Sequence, residues 1–158
     1  MGEYAVAYMR GKSVFFQSSF QLPGLHFISD SRAYLNVPPT RLLHVSATHL
    51  GNRQYGSDIR RDDFADAFER AILVAIDRDV DAVIHTGDLF DDPVPSLETI
   101  VRAADVINTL NDNDIPFYGI VGNHERKNDE QWLDLLNRTS AANRLSRDYT
   151  LVGDVALY

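Results

Sequence analysis

From Arg41 onward, short apolar runs alternate with longer stretches in which apolar residues return every three or four positions. The run Arg41-Leu42-Leu43-His44-Val45-Ser46 predicts a strand. Phe64, Phe68, Ile72 and Ile76 repeat at i+4 spacing, which predicts a core-facing helix beginning near Asp62. A second strand is expected over Ala82 to His85. Ser96 stands where it can cap a helix whose face carries Leu97, Ile100, Val101, Ala104 and Leu110. Pro116 to Val121 predicts a third strand, Glu130 to Arg138 a short helix with Trp132, Leu133 and Leu136, and Tyr149 to Leu157 a hairpin around Gly153-Asp154. Strands separated by helices pair in parallel through right-handed crossovers. The expected class is therefore α/β, with the strand C-termini along one edge, where ligands of open α/β sheets sit.

Residues 1–40 break this pattern. They carry Tyr4, Tyr8, Phe15, Phe16, Phe20, Phe27 and Tyr34 without sustained periodicity and end at Pro38-Pro39. Their charged residues, Arg10, Lys12 and Arg32 against Glu3 and Asp30, give +1, which leaves −9 of the formal −8 for residues 41–158. We expect 1–40 to be an extension with weak structure of its own, an arm that docks a partner being the alternative, and 41–158 to be the folded domain.

Composition narrows the chemistry. At 158 residues and 44% hydrophobic the chain suits one domain or a piece of one. The absence of cysteine excludes disulfides and thiolate metal sites, so any metal must be held by imidazole, carboxylate, amide oxygen or water. There is no apolar stretch near the ~18 residues of a membrane span and no basic-then-apolar leader, so a soluble cytoplasmic protein is expected, with no membrane partner. The charged set of 13 Arg and 2 Lys against 18 Asp and 5 Glu resembles that of a halophile's proteins. Concentrated salt cuts the Debye length to ~3 Å at 1 M, so the acidic balance does not veto a DNA partner.

Three strand ends hold candidate ligands: Ala47-Thr48-His49, Gly87-Asp88 and Gly122-Asn123-His124-Glu125. Hydrolysis of a phosphodiester needs charge neutralisation and a hydroxide at neutral pH, and two metals ~3.5–4 Å apart supply both. Asp88 suits the bridging carboxylate, since Gly87 lets the backbone turn closely. His49 offers a nitrogen, Asn123 an amide oxygen, and His124 a proton for the leaving group. Each signal alone is also that of a common turn or loop; their coincidence at successive strand ends is what points to a site. His44 and His85 lie within strands and read as buried or sheet-face residues, and His26 has no context. Asp91 and Asp92 read as an acidic loop capping the next helix, with water-mediated metal or substrate binding as the alternative.

These blocks resemble those of the calcineurin-like metallophosphoesterases, Asp-x-His, Gly-Asp and Gly-Asn-His-Asp/Glu, which two further histidine blocks follow. Within that superfamily, His49-Leu50-Gly51-Asn52-Arg53-Gln54-Tyr55, Arg60-Arg61-Asp62-Asp63-Phe64, Ala67-Phe68, Gly87-Asp88-Leu89-Phe90 and Pro95-Ser96 resemble the archaeal double-strand-break repair nucleases of the meiotic-recombination-eleven and SbcD type. The resemblance implies the N-terminal βαβαβ half of a two-sheet α/β sandwich, with the C-terminal half and its histidines missing. It implies two divalent metal ions, most typically manganese, held by His49, Asp88 and Asn123, with His124 assisting the leaving group. It also implies a DNA substrate, a Rad-type coiled-coil ATPase and a homodimer. The family's first-block Asp falls on Ala47, whose methyl cannot coordinate, and Asp91 stands where many members carry a second active-site histidine. A poor nuclease is therefore expected, which Asp at 47 alone does not rescue.

Arg53, Tyr55, Arg60 and Arg61 fall on an expected loop beside the metal edge, suited to phosphate and base contact. Pairing of these arginines with Asp58, Asp62 and Asp63 is an equal alternative. A generic phosphoesterase and a non-catalytic binding remnant are the competing functional readings.

Overall fold

The computed structural model describes residues 39–157. The expectations for residues 1–38, the extension and His26 among them, lie outside the described residues. The described chain runs β1 (Leu42–Val45), a 3₁₀ turn (Gln54–Gly56), α1 (Asp58–Asp77), β2 (Ala82–His85), α2 (Leu97–Asn111), β3 (Phe117–Gly119), α3 (Trp132–Arg138), β4 (Asn143–Arg144), β5 (Thr150–Val152) and β6 (Val155–Leu157).

Strands β1 to β4 form one parallel sheet in the order β1-β2-β3-β4, and β5 and β6 form an antiparallel hairpin. The register pairs Leu42 with Ala82, Val45 with His85, Val83 with Phe117 and His85 with Gly119. Side chains alternate across each strand. Leu43, Val45, Val83 and Phe117 join Phe68, Ile72, Ile107, Leu110 and Leu136 from the helices in the main core. Leu42, Ile84 and Tyr118 point the other way and meet Val152, Val155 and Leu157 of the hairpin. A sheet covered on both faces explains why its strands read as nearly continuous apolar runs. Thr40 belongs to the fold, since its hydroxyl accepts from the Asp154 amide at 3.2 Å and locks the hairpin turn.

Three details differ from the expectation. α1 begins at Asp58, four residues before the expected start near Asp62, because its first turn projects past the core where periodicity carries no signal. The buried face of α2 is Ile100, Ala103, Val106, Ile107 and Leu110, while Leu97 and Val101 are exposed. β4 was not foreseen. It is two exposed residues long, and its pairing is made by Leu145 N–H to Gly119 carbonyl (2.8 Å) and Asn143 Nδ2 to Phe117 carbonyl (3.2 Å). Ser96 caps α2 as expected, its Oγ accepting from Thr99 N–H at 3.2 Å.

Candidate metal centre

The parallel pairing of β1 and β2 continues past their ends and aligns two loops. Ala47 N–H donates to Gly87 carbonyl (3.1 Å), His49 to Asp88 (2.9 Å), Leu50 to Leu89 (2.8 Å), and Asp91 N–H returns to Leu50 carbonyl (3.1 Å). Residues 47–50 and 87–91 are thus held side by side. Ala47, His49 and Asp88 all adopt positive φ, at 53°, 46° and 57°. Asp and His tolerate that conformation better than other L residues, so Ala47 is the unfavoured one of the three.

The third strand end arrives by glycine contact. A Cβ on Gly87 would lie 2.9 Å from Gly122 Cα, and one on Gly122 would lie 2.1 Å from both the nitrogen and Oδ1 of Asp88. No side chain fits at 122 without moving Asp88. The same approach lets His124 N–H donate to Asp88 Oδ1 at 3.0 Å, which orients the carboxylate. Ligand atoms of His49, Asp88 and His124 come within 4.8 Å of one another, and the two imidazoles meet edge to face with centroids 4.6 Å apart.

The arrangement fits a divalent cation. Its donors are imidazole nitrogen and carboxylate oxygen, suited to borderline and hard metals. His49 Nδ1 is a buried polar atom without a hydrogen bond: Asp91 Oδ1 lies only 3.0 Å away, but the contact lacks hydrogen-bond alignment. A carboxylate and an imidazole converge on a cradle that glycines keep open. Asn123 is exposed beside them, and Ala47 contributes no donor.

Two buried polar groups brace this edge. His85, 1% exposed, is stacked on Phe117 and set edge-on to Phe68. Its Nδ1 accepts from Gly87 N–H (3.3 Å), so its Nε2 carries the proton and donates to Thr48 Oγ1 (3.0 Å), which donates in turn to Leu89 carbonyl (3.0 Å). Burial, with His44 nearby, pushes the His85 pKa down to about 3 despite the opposing pull of Asp88. His44 bonds Thr86 Oγ1 at 2.8 Å, and burial lowers its pKa too. Both histidines therefore serve the sheet, in line with their place in the strands. Glu125, 5% exposed, accepts from Phe90 N–H (2.6 Å) and Gly122 N–H (2.9 Å), clamping the third loop onto the second. Burial raises its pKa, and those two amides oppose the rise. Its role was not foreseen; a carboxylate one residue past the site histidine was the only signal.

Asp91 corrects the sequence reading. It does not cap α2, which Ser96 does, but faces the site: its Oδ1 accepts from Asn52 Nδ2 (2.8 Å) and stands 3.0 Å and 3.7 Å from Nδ1 of His49 and His124. Arg60 and Arg61 lie on the first turn of α1 rather than on a loop. Arg53 pairs with Asp58 (2.7 Å), Arg60 with Asp63 (3.5 Å), and Arg61 with Asp62 (3.1 Å) and Glu98 (3.7 Å); Tyr55 projects into solvent.

Residues 40–156 match the family model described as Calcineurin-like phosphoesterase. The chain belongs to that family. Phosphoesterases of this family use divalent metal ions, and this chain brings His49, Asp88 and His124 together at its strand ends. It is similar to the DNA double-strand break repair protein Mre11 of Methanosarcina mazei, 52% identical over 118 residues that make up 75% of this chain and 19% of that relative. The corresponding protein of Haloferax volcanii is 50% identical over 119 residues (75% and 27%), and that of Halobacterium salinarum 47% over 118 (75% and 30%). The chain thus spans 19 to 30% of the length of these relatives. No helix among the described residues is long and apolar enough to cross a membrane.

Proposed function

We propose that this phosphoesterase chain is the N-terminal part of a DNA double-strand break repair nuclease that hydrolyses phosphodiesters at DNA ends. The observation that carries the reading is the convergence of His49, Asp88 and His124 within 4.8 Å at successive parallel strand ends. Likeness to repair proteins named Mre11 favours DNA over a small phosphodiester. In this reading His49, Asp88 and Asn123 would hold two divalent ions, manganese by preference. The ions would supply charge neutralisation and a nucleophilic hydroxide. His124, exposed and anchored through Nδ1, presents Nε2 to the leaving oxygen.

Arg53, Arg60, Arg61 and Tyr55 are proposed to touch the DNA. The ion pairs of these arginines are solvent-exposed and weak, so phosphate can displace the carboxylates. Exposed Ile59, Val94, Leu97 and Val101 suit contact with a second copy, and a Rad-type coiled-coil ATPase completes the proposed assembly in the cytoplasm of a salt-adapted archaeon.

With Ala47 in place of a ligand, cleavage by this chain is expected to be slow. The test is release of nucleotides from duplex ends with manganese. Weak activity that disappears in Asp88→Ala supports the reading; activity independent of added metal, or equal in Asp88→Ala, contradicts it. Cleavage of bis-(p-nitrophenyl) phosphate but not of DNA would favour the generic phosphoesterase.

A further inference from the structure

One buried carboxylate divides its two oxygens between the main chains of two site loops. Glu125 Oε2 accepts from Phe90 N–H at 2.6 Å, two residues past Asp88, and Oε1 accepts from Gly122 N–H at 2.9 Å, one residue before Asn123. Both held segments bear on Asp88. With φ of 57°, Asp88 sits in the left-handed region, which a residue with a side chain keeps only where its surroundings over-determine it. The first loop supplies half of that restraint, as His49 N–H donates to Asp88 carbonyl at 2.9 Å and Thr48 Oγ1 to Leu89 carbonyl at 3.0 Å. Glu125 supplies the other half through the Phe90 amide. Its second oxygen seats Gly122 so near Asp88 that a Cβ there would lie 2.1 Å from the Asp88 nitrogen and Oδ1. From that seat His124 N–H reaches Asp88 Oδ1 at 3.0 Å.

We propose that Glu125 is a positioning residue for the metal centre: by fixing the separation of the second and third loops, it aims the Asp88 carboxylate and sets Asn123 and His124 beside it. Groups that orient a ligand from outside commonly change metal affinity by about ten- to a hundredfold. The role rests on the reading of Asp88 and Asn123 as metal ligands, and it acts through main chain alone. Glutamine at 125 has the same size but only one acceptor oxygen, and its NH2 can only donate, so one of the two amides must then face a donor. Aspartate keeps both oxygens and is a methylene too short to span the two loops.

Backbone amide spectra of the metal-free full chain and manganese calorimetry test this together. In Glu125→Gln the Phe90 or Gly122 amide signal should move, and the His124 amide, which Glu125 does not bond, should move with it as its contact with Asp88 is lost. Manganese affinity should fall about tenfold or more in Glu125→Gln and in Glu125→Asp. Ile107→Val is the control for stability alone: it removes a methylene from a fully buried position on α2, lowers stability, and should leave the His124 amide and manganese affinity unchanged. Where Glu125→Gln does not fold, Glu125→Asp carries the same readouts. A His124 amide unmoved by the Glu125 variants, or manganese affinity equal to the wild type's, overturns the proposal, as does an equal loss of affinity in Ile107→Val. A wild type whose manganese binding depends on Glu125 but which leaves DNA uncut would count against the nuclease reading and leave the role of Glu125 intact. Metal-dependent DNA cleavage with manganese binding indifferent to Glu125 would do the reverse.

Discussion

Replacing His85 by Gln should remove an acid sensitivity built into the sheet. In the folded chain the ring is enclosed by Phe68 and Phe117, and its bare Nδ1 faces the Gly87 N–H at 3.3 Å, so a second proton would set two donors against each other. Its pKa is accordingly pushed from 6.5 down to about 3, first by burial. Above pH 6.5 the ring is neutral in folded and unfolded chains alike, and its contribution is fully present. Below that, the unfolded chain takes up a proton that the folded chain refuses until about pH 3, so stability falls with falling pH through this window. The slope approaches ~1.4 kcal/mol per pH unit, which makes about 2 kcal/mol lost by about pH 5. That is a large share of a domain stability of about 5–15 kcal/mol. Urea unfolding of wild type and His85→Gln at about pH 7.5 and about pH 5, at one fixed salt concentration, reads the effect. At the higher pH the variant should be less stable by about 1–3 kcal/mol, because the Gly87 amide loses its acceptor. On acidification the wild type should lose about 2 kcal/mol more than the variant. Equal losses in the two proteins would refute the reasoning.

Three further outcomes are expected. Gly122→Ala should cost about 1–3 kcal/mol and displace Asp88, since the new methyl would overlap its nitrogen and Oδ1. Gly56→Ala, where φ is +69° but space is open, should cost about 1 kcal/mol and leave metal binding unchanged; thermal unfolding and calorimetry compare the two, and equal metal binding in both would be contrary. Ala47→Asp restores a carboxylate at a backbone conformation that Asp tolerates, so its melting temperature should rise more steeply with manganese than the wild type's, about 1.4 kcal/mol for each tenfold gain in affinity; a parallel dependence would be contrary. Arg60→Ala/Arg61→Ala should lower the salt slope of DNA binding by about 2, and an unchanged slope would assign these side chains to their carboxylates alone.

How far the sequence carries depends on which forces leave a periodic trace. β1, β2, α2 and the hairpin were legible because burial repeats along them at the strand or helix period. β4 left no such trace, since Asn143 and Arg144 are exposed and are placed by hydrogen bonds to the main chain of β3. The start of α1 at Asp58 escaped for a related reason: its first turn buries nothing. At the site, each of His49, Asp88 and His124 could be placed at a strand end, because parallel pairing sends consecutive strand ends to one edge. The supporting contacts are long-range, and spacing does not encode them. Glu125 reaches Phe90 across 35 positions and Asn52 reaches Asp91 across 39, so neither residue's service to the site could be read from its neighbours in sequence. Asp91 was misread because an acidic loop ahead of a helix has a sufficient local explanation in the helix dipole. The backbone at Ala47 adds what sequence could not supply, a positive φ retained without the side chain that suits it.

Manganese binding to the full chain, followed by loss of the free-ion electron paramagnetic resonance signal, tests the central claim most directly. The wild type should remove manganese from solution saturably, and Asp88→Ala should weaken this by about tenfold or more while keeping the fold. Equal uptake by the two proteins, or none by the wild type at millimolar manganese, would contradict a metal centre at these strand ends.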